Sequence, residues 1–295
     1  MGQQPKDPLQ DAIDQACAGR PAVLHAFLQR NSALPGPRPN LKFAKAAAAG
    51  LLTRGAIGNQ VLAAMRKMGP SQAAEKTSWE FLPLVGVIGI GVEAARGAPD
   101  RIATVLTELQ AFAEDPRGHV RSAVVHALRE VIDAHTDEAV GALQTWTDGY
   151  LQGSAALDAL AEPVVLQHLH QPQALVDRLQ EAFDLIDRAP RSHERTQGYR
   201  ALLRAIGATP AIVGKRFPIE VAQWLQQRAT TQHPELRAVI EKSIHGMRGA
   251  GVRAADVEQA QRALQDSERA PRDPRSDVGP TRSRGKKARS RGGKK

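Results

Sequence analysis

The 295-residue chain has one cysteine, Cys17, so it can form neither an internal disulfide nor a multi-thiolate zinc site. Aromatic residues make up only 4% of it, and the core must come from small and aliphatic side chains. Abundant Ala, Leu and Arg then favour helices over sheets. No stretch reaches the roughly 18 consecutive apolar residues of a membrane span. The longest apolar run, Phe81 to Val92, is shorter and contains Gly86, Gly89 and Gly91. The N-terminal MGQQPKDPLQD lacks the basic-then-apolar pattern of an export signal, so a cytoplasmic protein without membrane association is expected. What is present is ordinary for a globular chain: 42% hydrophobic and 24% charged residues, enough for one large domain or two small ones.

Positive charge is unevenly placed. Of the net +9, eight units belong to residues 281–295, TRSRGKKARSRGGKK, which contain no acid and leave +1 on residues 1–280. Around Arg282, Arg284, Lys286, Lys287, Arg289, Arg291, Lys294 and Lys295 there is no aliphatic residue larger than alanine. The segment is expected to be disordered and to meet phosphate backbones by counterion release rather than by reading sequence. Three roles fit such a run: nucleic-acid attachment, solubility or localisation, and a sequence appended to the natural chain.

Upstream, the apolar pattern is helical. Ile102, Val105, Leu106, Leu109 and Phe112 form one stripe, DPRGHVR (115–121) interrupts it, and Val120, Val124, Ala127, Leu128, Val131 and Ile132 form the next. Pro116 removes a backbone donor and Gly118 relaxes the turn, which makes 101–132 a helical hairpin followed by a polar break from Asp133 to Glu138. The unit recurs. Leu175, Leu179, Phe183 and Ile186 lead through RAPRSHER (188–195) to Tyr199, Leu202, Leu203 and Ile206. Ile219, Val221, Trp224 and Leu225 lead through TTQHPELR (230–237) to Val239, Ile240, Ile244 and Met247. Ala139–Trp146 and Ala155–Val165 supply a degenerate copy. First helices are predicted to begin near 101, 139, 174 and 218, close to the roughly 40-residue period of HEAT-type repeats. Helix breaks are expected within a few residues of 115–119, 188–193 and 230–234.

The string DPRGHVRSAVVHALREVI resembles the second half of a HEAT repeat, and the resemblance puts Asp115 and Arg121 at the two positions of an Asp/Arg ladder between repeats. LPGPRPNLKFAKAAA (34–48), FLPLVGVIGIGV (81–92), AFAEDPRGHVRSAVVHAL (111–128), AALDALAEPVVL (155–166) and YRALLRAIGATPAIVG (199–214) are similar to a bacterial HEAT-repeat group associated with DNA alkylation repair. The likeness covers most of 34–250 and is carried by packing motifs, so it speaks to fold more than to chemistry. It implies an all-α, HEAT-like α-solenoid of antiparallel helical pairs, which is placed over 34–265; residues 1–33 are expected to be an N-terminal helix and linker, and 266–295, from their charge and composition, a disordered basic tail. It also implies, for members with glycosylase activity, a basic concave groove with tryptophans and an acidic residue near the scissile bond.

The chemical candidates are sparse. A Trp-x-x-x-Asp pair on one helix face is missing; Trp146 and Asp148 are two apart and point to different sides, and Trp146 and Trp224 are expected to pack between repeats. Asp115 beside a helix start is explained by capping and the ladder. His168 with His170 and His119 with His126 match no metal spacing, and neither metal nor cofactor is expected. GVIGIGV (86–92) has glycines but no strand–helix context for a dinucleotide, which points to close helix packing. Basic residues crowd 178–253, and Arg200, Arg204, Lys242 and Arg248 on second helices are the candidates for a phosphate-binding concave face. A solvated surface balanced by Glu181, Asp184, Asp187, Glu194 and Glu241 explains the same residues. The expected function is non-specific binding of nucleic acid, DNA first, through the tail and this face. The alternatives are an alkylpurine DNA glycosylase-like base-excision enzyme and a protein-binding scaffold.

Overall fold

The computed structural model describes residues 7–267, and its regular structure is helical throughout, with no strand among the described residues. In chain order the helices are α1 (Pro8–Cys17), α2 (Pro21–Asn31), α3 (Leu41–Leu52), α4 (Gly55–Arg66), α5 (Phe81–Ala94), α6 (Ile102–Phe112), α7 (Gly118–Ala134) and α8 (Thr136–Ala142). They continue as α9 (Tyr150–Leu160), α10 (Pro163–His168), α11 (Pro172–Asp187), α12 (Gln197–Val213), α13 (Pro218–Arg228), α14 (Pro234–Gly249) and α15 (Ala254–Asp266). Proline opens α1, α2, α10, α11, α13 and α14, at the position where a helix does not need the missing N–H. The side chains of Asp7, Asn40 and Thr196 accept from the first turns of α1, α3 and α12.

The breaks fall where the pattern predicts them: between Phe112 and Gly118, between Asp187 and Gln197, and between Arg228 and Pro234. The degenerate unit departs from its expected outline. The polar break at Asp133 to Glu138 shrinks to His135, because Asp133 and Glu138 stay helical with their side chains on the surface. After α8 a 3-10 segment, Leu143–Asp148, carries Trp146, and Pro163 separates α10 from α9 instead of letting one helix run through. Within 1–33, α1 and α2 pack on each other, and their Leu9, Ile13, Leu24 and Leu28 belong to the same core as the later helices. The tail expected from 266 onward begins with Asp266 closing α15 and with Ser267; its remainder lies outside the described residues.

Each helix packs on near neighbours in sequence. α3 packs on α5, α5 on α7, α7 on α9, α9 on α12 and α12 on α14; α4 and α6 flank α5, α11 reaches α13, and α13 reaches α15. α5 is sunk among them, with every residue from Phe81 to Val92 buried. The glycines of GVIGIGV admit its neighbours to backbone distance. A Cβ on Gly86 would lie 2.6–2.9 Å from Arg66 atoms of α4, and one on Gly91 2.4–2.8 Å from the Ala127 backbone of α7. Backbone cannot yield as a side chain does, so Gly91→Ala is expected to cost about 3 kcal/mol or more through overpacking. Gly141→Ala, whose Cβ would meet nothing within 4 Å, should be neutral or stabilising. Urea unfolding of the two variants checks this, and equal midpoints would contradict the packing role of Gly91.

The 115–121 turn is built differently from the expected ladder. The Asp115 carboxylate is taken by Arg117, whose Nε and Nη2 donate to Oδ1 and Oδ2 at 2.8 and 2.7 Å. The Arg117 Nη1 donates to the carbonyls of Met68 and Ala73, at 2.9 and 3.0 Å. Arg121 reaches only the main-chain carbonyl of Asp115, at 2.5 Å. The loop between α4 and α5 adds two carboxylates to this junction: Glu75 accepts from the N–H of Gly118 and Glu80 from that of His119, satisfying donors at the start of α7.

Candidate functional site

Of the residues expected to meet nucleic acid, Arg282, Arg284, Lys286, Lys287, Arg289, Arg291, Lys294 and Lys295 lie outside the described residues. The other four are placed, all exposed: Arg200 and Arg204 on α12, Lys242 and Arg248 on α14. Arg200 and Arg204 are four apart and share one side of their helix. Lys242 crosses from α14 to α12, where a Cβ on Gly207 would meet its Cδ at 3.8 Å and its Nζ at 4.0 Å. Gly207 is three residues on from Arg204, so Lys242 stands beside that arginine. Arg248 is six residues beyond Lys242, about 120° away around the axis of α14, and leaves the cluster.

Asp158, an acid not among the sequence candidates, lies in electrostatic reach of Arg204. Residues 152–160 of α9 are buried except Asp158, which is exposed. Desolvation pushes its carboxyl up from the ordinary aspartate value, although Arg129 and Arg204 both pull it down. Its helix, α9, packs on both α7 and α12. Arg129 is itself committed: it donates to the Asp158 carbonyl at 3.0 Å and pairs with Glu162 at 3.1 Å. In AALDALA, Asp158 is the single charge within a run of small apolar residues, and that was the available signal.

Other members of the basic crowd serve the fold. Arg178 is buried, pairs with Glu181 at 2.5 Å and points Nη1 at the carbonyls of Val140 and Gly141 where α8 ends. Arg237 donates to the Leu264 carbonyl and to Ser267, closing the C-terminus of α15. The surface that remains is of mixed sign, with Asp158 in electrostatic reach of Arg204 and Lys242 beside that arginine. Because the raised pKa makes ionised Asp158 a net cost to the folded state above the normal aspartate range, Asp158→Asn should raise the melting temperature slightly at pH 7 and less at pH 4. It should also strengthen binding of a polyanion several-fold at low salt by removing a repulsive charge. A titration that leaves affinity unchanged or lowers it would take this surface out of the interface.

Trp146 is fully buried and Trp224 nearly so, with its indole N–H donating to Gln180 Oε1 at 2.9 Å and its ring edge-on to Phe183. Both serve packing, as expected. His168 and His170 pair separately with Asp133 and Asp137, at 3.1 and 3.5 Å. No group of three metal-ligating side chains occurs among the described residues. No helix among them is long and apolar enough to cross a membrane. No protein-family model, curated protein or solved structure matches the chain.

Proposed function

We propose that the chain is a HEAT-like α-solenoid that holds nucleic acid, DNA above all, without reading its sequence, with residues 281–295 as the main contact and Arg200, Arg204 and Lys242 as a second one. The observation that carries this reading is the partition of charge. Residues 7–267 hold 28 Lys or Arg and 28 Asp or Glu, so the whole positive excess of the chain lies outside them. Within them, residues 130–187 contain eleven acids against the single base Arg178, which is buried, and that stretch repels phosphate. Bases outnumber acids twelve to seven in 191–267, the part that carries the α12–α14 cluster and runs toward the tail.

The solenoid is supported by the succession of contacts α3–α5–α7–α9–α12–α14, each helix meeting its neighbours in order, as stacked helical pairs require. It is also supported by α6, α8, α11 and α13, which start at 102, 136, 172 and 218, within a few residues of the predicted starts. A protein-binding scaffold is the second reading, favoured by the mixed charge around Asp158. The base-excision reading loses Trp146 and Trp224, which are in the core.

One experiment separates the three. The full chain is titrated against two intact duplexes of unrelated sequence and incubated with an alkylated duplex assayed for released base. Equal affinity for both intact duplexes with no base release is expected. Base release would establish the enzyme, and absence of binding to all three duplexes would leave the scaffold.

A further inference from the structure

The third tryptophan behaves unlike the other two: Trp79 is 45% exposed. Its mount is not loose. The next residue, Glu80, is fully buried and accepts from the N–H groups of Lys76 and His119, at 2.8 and 3.0 Å, and Phe81 after it is fully buried as well. Arg117 holds the same loop by the carbonyls of Met68 and Ala73. A large ring is therefore kept in solvent by a rigid segment, although burying it would stabilise the fold.

The surroundings say what would cover it. The loop's carboxylates, Glu75 and Glu80, are turned to the start of α7, which leaves the Lys76 side chain exposed and its ammonium without an acidic partner among the described residues. Ser78–Glu80 packs against α2, which exposes Val23. The Phe81 ring stacks on Phe43 at 6.2 Å, and beside Phe43 stands Lys42, also exposed and without a carboxylate partner among the described residues. Residues 7–67 together hold eight bases and three acids. An exposed ring with an exposed, unpaired lysine three residues before it, beside a helical segment in which bases outnumber acids, fits a polyanion that carries flat faces.

We propose that Trp79 is a stacking platform for an unpaired nucleobase, with Lys76 meeting an adjoining phosphate, so that this end of the molecule contacts single-stranded nucleic acid. The inference rests on the nucleic-acid reading above and adds a strand preference to it. The test is tryptophan emission of the full chain titrated with a ten-nucleotide oligothymidylate and, separately, with a blunt duplex. Trp146 and Trp224 are buried and supply a constant background. The single strand is expected to quench emission; Trp79→Phe should abolish the quench while keeping most of the affinity. Trp79→Ala should weaken single-strand binding by about 5- to 100-fold, with duplex affinity and melting temperature unchanged. Single-strand binding with unaltered emission, or equal affinity in Trp79→Ala, would overturn the platform while duplex binding kept the broader reading intact. Absence of binding to either nucleic acid would overturn both.

Discussion

Deleting residues 281–295 is expected to weaken binding to duplex DNA at physiological salt by about a hundredfold or more while leaving the melting temperature unchanged. Those residues hold eight bases and no acid, against net neutrality in 7–267. Each phosphate they neutralise releases condensed counterions, and eight such contacts far exceed what Arg200, Arg204 and Lys242 supply. Stability should be indifferent because the core runs from Leu9 to Leu264, and the deleted segment has no aliphatic side chain larger than alanine. Anisotropy titration and thermal melting of the full chain and of 1–280 read both quantities. Equal affinities would assign binding to the folded part.

The largest effect on stability is expected from Arg117→Ala. The guanidinium is 2% exposed and joins the Asp115 carboxylate to two carbonyls of the α4–α5 loop, so its removal strands a largely buried carboxylate and two acceptors. Breaking a buried pair from one side costs about 3–5 kcal/mol. For a domain of this size that lowers the melting temperature by roughly 10 °C. Arg121→Ala removes one bond from a half-buried side chain and should cost about 1 kcal/mol. The two variants also differ with pH. Burial pushes the Asp115 carboxyl up, but the hydrogen bonds and charge of Arg117, with Arg121 behind it, outweigh that and hold it below the ordinary aspartate value. A depressed carboxyl stabilises the folded state at neutral pH and loses that contribution as pH falls through its folded pKa. Arg117→Ala should therefore move acid unfolding to higher pH. A greater loss in Arg121→Ala than in Arg117→Ala would restore the ladder at Arg121.

These residues show what a sequence can and cannot disclose. The stripe from Ile102 to Phe112, the break at Pro116 and Gly118 and the glycines of α5 are local, because helical periodicity and backbone chemistry act over a few residues. Two arginines follow Asp115 at spacings of two and six, and spacing alone does not choose between them. Arg117 is selected by Met68 and Ala73, 49 and 44 residues earlier, so the choice is made by tertiary packing. The 3-10 turn around Trp146 likewise packs on both α9 and α11, which its local sequence does not disclose. The parting of Lys242 and Arg248 was legible, since six residues on a helix do not share a face. The crossing of Lys242 onto Gly207 was not, because it depends on how closely α14 lies on α12.

Binding by charge alone is tested most directly by the slope of log affinity against log salt for the full chain on a random-sequence duplex between about 50 and 200 mM salt. With most of the eight tail bases engaged, a slope of about −5 to −7 is expected, unchanged when the duplex sequence is changed. A slope shallower than about −1, or an affinity that follows the sequence, would contradict it.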